Sequence, residues 1–274
     1  MTHAASCCNI YLLFRFFSGQ RLSYLAAALP KLNADMKEYN LTRTLVVIEA
    51  FQSMVSILTG KTPIVSFAGT ENLTTDQTGD VVNQLINFGQ LFIAYHFGDL
   101  ELALGLSMAV NLGSFREVLG GTVFPFIYEF YRSMTQMSIL HLQPNKKGLS
   151  AVKKSIKVLR SGRKKSPGNL SHLVCLLDAE YAFAQRNYDS AERLYLEAIH
   201  HAAGVIHECA LGCERLGWFY IQRADRESAT AQLEKARLLY MKWGAKAKAD
   251  HLEKKYSQLT RGKKGQELLI INGI

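Results

Sequence analysis

Five side chains between residues 200 and 213 are of types that hold metals or carry reactive thiols: His200, His201, His207, Cys209 and Cys213. Cys209 and Cys213 stand four apart, on one face of any helix, and two histidines precede them across a short turn. A metal site needs ligands that converge on one point, as paired C-x-x-C or the helical His-Glu-x-x-His motif provides. His207-Glu208 opens the second motif, but its closing histidine is missing. The set reads as helix-face histidines with one or two packed thiols, and no metal is expected.

Gly60-Lys61-Thr62 supplies the last three letters of a phosphate loop, in which glycine amides wrap the phosphates. The first glycine of that motif would fall at Val55, a β-branched residue inside an expected helix, and Pro63 follows directly. A helix C-terminus, with Gly60 as the stop and Lys61 near the negative dipole end, explains the triplet. Asp178, Glu180, Glu208 and Glu214 are acidic residues of the helices around these sites. Acid–base catalysis would require them to share a cleft with opposed environments. Their offsets instead predict solvent-facing positions beside arginines such as Arg186 and Arg215. Ser171-His172 reads as a helix start. No catalytic residue and no cofactor is expected, and the chain is not read as an enzyme.

The elements that must position all of these run through residues 173–243. Ala179, Ala182, Ala191, Tyr195 and Ala198 are spaced as small and large knobs on two antiparallel helices. From Ala191 to Ala229, 38 residues on, the order returns as Gly217, Tyr220, Ala229, Leu233 and Ala236. This is the packing order of a tetratricopeptide-type repeat: small residues let helices approach, and bulky ones fill the space between hairpins. A last helix, Ala245–Tyr256, is expected to cap the array.

The N-terminal half reads as helices too. Residues 4–17 end at Ser18-Gly19. A second helix spans about Arg21 to Tyr39 through Pro30, with Leu22, Leu25, Leu29, Leu32 and Met36 in one stripe. Thr42 or Asn40 is expected to cap a third, which stops at Gly60. Residues 61–79 read as a loop, with a doubtful strand at Pro63–Phe67. Helices resume at Val81–Phe97 and Leu100–Asn111, where Ala103 and Val110 echo the small positions weakly. Gly113–Gly121 is a junction, and an aromatic helix from Thr122 to about Leu142 is expected to lie buried between neighbours. After a basic helix, Ser161–Asn169 is expected to be a polar loop. Residues 261–274 carry no period, apart from a doubtful strand at Leu268–Ile271. The division is 1–143, an N-terminal helical array; 144–260, repeats with a capping helix; and 261–274, a tail.

Composition narrows the class. With 48% hydrophobic residues and 5 prolines, a disordered chain is excluded. Five cysteines, Cys7, Cys8, Cys175, Cys209 and Cys213, form no disulfide framework and point to a reducing compartment. The apolar run Ile10–Phe17 is interrupted by Arg15 and falls short of the roughly 20 residues a bilayer requires. No basic segment precedes it and no small-residue cleavage site follows, so a cytoplasmic protein away from membranes is expected. The net charge of +9 sits largely in Lys146–Lys165 and Lys235–Lys264. The first of these has no interleaved aromatic to stack on bases, so nucleic acid is not an expected partner.

A resemblance enters on particular residues. Ser166-Pro167-Gly168-Asn169…His172 and Leu176-Leu177-Asp178-Ala179-Glu180 are followed by Tyr240-Met241-Lys242-Trp243-Gly244-Ala245-Lys246-Ala247-Lys248 and Leu252-Glu253-Lys254-Lys255-Tyr256. Trp243, Gly244, Ala245, Leu252 and Tyr256 carry the most specific part. The pattern resembles the TPR-like helical region that follows the AAA-type ATPase module in large multidomain serine/threonine kinase and hybrid sensor histidine kinase proteins. Ser18-Gly19, Gln52…Gly60 and Phe97-Gly98-Asp99 are similar to helix junctions of the same region. The chain has no phosphate loop, kinase signature or phospho-accepting histidine box, so the resemblance implies a scaffold and no catalysis.

The sequence therefore predicts an all-α, TPR-like solenoid of antiparallel helix hairpins, with about ten to twelve helices. The expected function is non-enzymatic protein–protein interaction in signal transduction, through a concave face that binds a helix or extended peptide. Its expected partners are kinase, ATPase or response-regulator domains. The alternative is a detached regulatory fragment of a multidomain ATPase or sensor histidine kinase that works only with catalytic domains.

Overall fold

A computed structural model describes residues 2–63, 80–109, 113, 116 and 119–260. Among the described residues there is no strand, and twelve α-helices follow one another. They are α1 (Thr2–Phe17), α2 (Leu22–Glu38), α3 (Thr42–Thr59), α4 (Asp80–Phe97), α5 (Leu100–Ala109) and α6 (Phe124–Leu142). The chain continues with α7 (Lys146–Lys165), α8 (Pro167–Ala184), α9 (Tyr188–His201), α10 (Ile206–Gln222), α11 (Arg226–Trp243) and α12 (Lys246–Thr260). The protein is all-α, a succession of packed helices. Among the described residues, no helix is long and apolar enough to cross a membrane. Residues 64–67 of the doubtful first strand, the whole of the second, Val110 and the 261–274 tail lie outside the described residues.

The 38-residue offset governs local structure as well as burial. α8 turns into α9 through Arg186 at φ +61°, and α10 turns into α11 through Ala224 at φ +59°. The next residue caps each second helix: Asn187 Oδ1 accepts from the Ser190 amide, and Asp225 Oδ1 from the Ser228 amide. These side chains satisfy donors that a helix N-terminus otherwise leaves open. Ala179, Ala191, Tyr195 and Ala198 are buried in one hairpin and Ala229, Leu233 and Ala236 in the other; Ala182 and Tyr220 pack partly buried on the core. Gly217 is a close-contact position, since a Cβ there would lie 2.7 Å from Leu233 Cγ.

Three local expectations are corrected. Ser161–Asn169 is not a loop, because α7 runs to Lys165 and only Ser166 separates it from α8, which opens on Pro167. The polar residues there conceal one more apolar turn: Leu159 and Gly162 are buried, and Gly162 lies under the Phe126 ring. Proline in a first helical turn forfeits no hydrogen bond. Neither Thr42 nor Asn40 caps α3; Leu41 holds that position without a side-chain bond, and Asn40 adopts φ +53°.

The third correction concerns the far end. α12 packs on α11, but it does not merely cap an open array, because it also packs on α3 and α4. The C-terminal helices thus fold back on the N-terminal ones. Phe16, fully buried at the end of α1, meets Phe51 of α3, Phe92 of α4, His207 of α10 and Trp243 of α11, with ring centroids 5.2–6.2 Å apart. The end of α1 thus packs its Phe16 ring on α10 and α11 as well as on α3 and α4.

Candidate functional site

The closure is built from helix ends. The α1 helix stops at Gly19, φ +80°, where a Cβ would approach the Ile206 amide nitrogen to 2.9 Å. The α3 helix stops at Gly60, φ +81°, where a Cβ would lie 3.6 Å from the Ala247 methyl. Gly60-Lys61-Thr62 is thus a helix terminus, with the Gly60 and Lys61 amides donating to Ile57 and Ser56 carbonyls. The α11 helix stops at Gly244, φ +99°, against Leu22. Trp243, immediately before it, is fully buried, and its indole N–H donates to the Gln20 carbonyl at 3.0 Å. Ala245, Leu252 and Tyr256 are buried in the same joint.

Three carboxylates lie inside this frame, where solvent-facing positions were expected. Glu180 of α8 is fully buried. It receives Arg215 Nε and Nη2 at 2.6 and 2.7 Å, the Tyr195 hydroxyl at 2.9 Å, and lies 2.8 Å from His141 Nε2. Burial pushes its carboxyl up, but the Arg215 charge and the bonds from His141 and Arg215 outweigh that and hold it at about 2. Arg215 also lies 4.6 Å over the Trp218 ring. Glu208 of α10 accepts from Tyr131 of α6 at 2.8 Å and sits 3.4 Å from His207 Nε2. Burial raises its carboxyl, and His207, His172 and Tyr131 bring it below its ordinary value. Glu214 accepts from Lys248 of α12 and Tyr240 of α11, both at 2.8 Å. Asp178, the fourth acid, was also expected to face solvent, but its side chain is only 12% exposed, and it pairs with the exposed Arg160 of α7 at 2.9 Å. Arg186 is exposed in a turn and joins none of them.

Lys248 is buried and reaches two targets. Its ammonium donates to the His96 carbonyl at 2.5 Å as well as to Glu214. That carbonyl belongs to the last turn of α4, the negative end of the helix dipole, where a cation is favoured. Burial, with Lys248 and His207 beside it, drives His96 well below the usual imidazole range, so the His96 ring is neutral. Its Nε2 lies 3.4 Å from the Tyr131 hydroxyl.

These groups clamp one helix to another. His141 and Glu180 form an imidazole–carboxylate pair, but their side chains are 7% and 0% exposed, and Phe183 and Trp218 flank the imidazole. His200 and His201 are exposed at the end of α9, while His207 is buried and stacks on Trp243 at 4.8 Å, so the five residues do not converge. No group of three or more His, Cys, Asp or Glu poised for a metal occurs among the described residues. Cys213 is buried and Cys209 half-buried, with the Cys209 thiol 3.9 Å from the Ile199 carbonyl; the neighbouring Cys213 thiol lowers Cys209 against the effect of burial. On the outside, Asp189, Glu192, Arg193, Leu196, Glu197 and His200 line a shallow open groove on α9.

Glu180, Arg215, Glu208 and Lys248 went unrecognised as interior residues, yet a signal existed. Glu180 continues the stripe of Leu173, Leu176 and Leu177; Glu208 and Arg215 flank Leu211; Lys248 lies between Ala245 and Leu252. A charge at helical spacing on an apolar stripe marks a buried, partnered group. No protein-family model, curated protein or solved structure matches this chain.

Proposed function

We propose that the chain is a non-enzymatic, cytoplasmic helical-repeat scaffold that assembles protein partners in signal transduction through the outer faces of its helices. The observation that carries this reading is the use of the interior charges. Glu180 with Arg215, Glu208 with Tyr131, and Glu214 with Lys248 each join one helix to another. Such pairs hold helices in one register and make a rigid platform rather than a reaction cleft.

A second reading, a regulatory piece that works only with the catalytic domains of a multidomain ATPase or sensor histidine kinase, draws on a specific convergence. The residues that resemble that helical region, Gly19, Gly60, Gly98, Trp243 and Gly244, lie far apart in sequence yet sit at the helix ends around one joint. Kinase, ATPase or response-regulator domains are the partners proposed under both readings.

Cross-linking the intact chain in its own cells, followed by identification of the joined peptides, tests the proposal. Separate signalling proteins cross-linked to outer helix faces support the scaffold. ATPase or kinase sequence in the same polypeptide supports the second reading. Turnover of a substrate by the purified chain alone overturns both.

A further inference from the structure

We propose that the solvent face of α7 is a docking surface for an acidic helix or extended acidic segment of a partner protein. The inference rests on the scaffold reading and names the surface and the partner's chemistry. α7 carries seven lysines and two arginines among its 20 residues and no acidic residue. Its apolar stripe, Val152, Ile156 and Leu159, is buried against the array, so the lysines line the outside of a helix about 30 Å long. Among the described residues, Arg160 is the one α7 side chain in an ion pair, with Asp178 of α8. On the other neighbouring helix, Glu129 of α6 is engaged by Arg132, which also donates to Ser155 of α7.

Folding alone does not ask for this arrangement. Lys146 and Lys147 occupy the first turn of α7, with no acid beside them, where the helix dipole disfavours cations. Solvated helices ordinarily interleave both signs, which lets i,i+4 pairs form. Here like charges repeat along one face, a pattern that gains from a partner of opposite charge.

The partner's class follows from what else the face holds. The apolar stripe is already buried, so α7 has no hydrophobic face left to enter a lipid surface. Its exposed residues include no aromatic to stack on bases. Val158, 36% exposed among the lysines, offers the apolar contact that a protein side chain uses and a phosphate backbone does not.

The test uses the full chain and three probes: a fluorescein-labelled peptide of Glu and Leu at helical spacing, single-stranded DNA of matching length, and phosphatidylserine vesicles. Lys153, Lys157 and Lys164 are reversed together to Glu; a control reverses Lys235, Lys242 and Lys254, also exposed, for the same change in net charge. Circular dichroism establishes that both variants fold. The α7 variant is expected to bind the acidic peptide at least about tenfold more weakly, with the control within about twofold of the original chain. Equal losses in the two variants, no peptide binding, or tighter binding of DNA or vesicles overturns the proposal. Cross-linked partners retained by the α7 variant sink this surface and leave the scaffold standing; a native chain that cross-links to nothing sinks the scaffold itself.

Discussion

The indole N–H of Trp243 donates to the carbonyl oxygen of Gln20 at 3.0 Å, joining the end of α11 to the turn after α1 across 223 residues of chain. Trp243→Phe keeps most of the buried ring but strands that carbonyl, at an expected cost of about 1–3 kcal/mol. Trp243→Ala adds a cavity beside Phe16 and His207 and is expected to cost about 3–5 kcal/mol. Urea unfolding measures both. An unshifted midpoint in Trp243→Phe would show that the bond does not hold the closure.

Glu180 makes stability depend on acid. Its folded value of about 2 lies below the ordinary 4.5, so its contribution is fully present above about pH 4.5 and is lost as pH falls toward 2. The shift corresponds to on the order of 3 kcal/mol. Glu180→Gln should be destabilised at pH 7, because Arg215 loses its partner in the interior, and should show a shallower decline between pH 4.5 and 2. Parallel stability curves for the two chains in that window would refute the assignment.

The two hairpins can be probed at their closest contacts. Ala191 is fully buried, so Ala191→Arg forces an unpaired charge between helices and should unfold or severely destabilise the array. Gly217→Ala is milder: its methyl would press on the Leu233 side chain, at an expected cost of about 1–3 kcal/mol. Thermal melts that leave Ala191→Arg unchanged would exclude the close packing of α8 and α9.

Deleting residues 244–260 removes Ala249, Leu252 and Tyr256 from the core and uncovers α3 and α4 as well as α11. The truncated chain is expected to aggregate, as repeat arrays do when a terminal helix leaves an apolar face open. Light scattering reads the result; a monomer of undiminished stability would rule out the joint as a structural element.

Ala224 occupies the left-handed region at φ +59°, a conformation that costs a residue with a Cβ. Ala224→Gly relieves it while loosening the unfolded chain, for an expected net gain of about 0.5–1 kcal/mol. A lower melting temperature in this variant would mean the turn is not strained.

Much of this architecture was legible in the residues alone. Gly19 and Gly60 announced helix ends because few other residues adopt positive φ without penalty. The 38-residue return of small and bulky positions announced two hairpins, because helix contact depends on side-chain size at fixed spacing. Even the echo from Arg186 to Ala224 follows from that period, although neither residue prefers the conformation it takes. These are local consequences, set within one or two turns of chain.

What only the tertiary structure decided is which ends meet. Nothing near Lys248 in sequence says that its ammonium will reach the carbonyl of His96, 152 residues earlier. Glu180 and Glu208 look solvent-facing until Arg215 and Tyr131 arrive from other helices to compensate their burial. A buried charge is tolerated only where its partner already stands. Local periodicity therefore specified the helices of this protein, and the long-range pairing of charges and helix termini specified how they close.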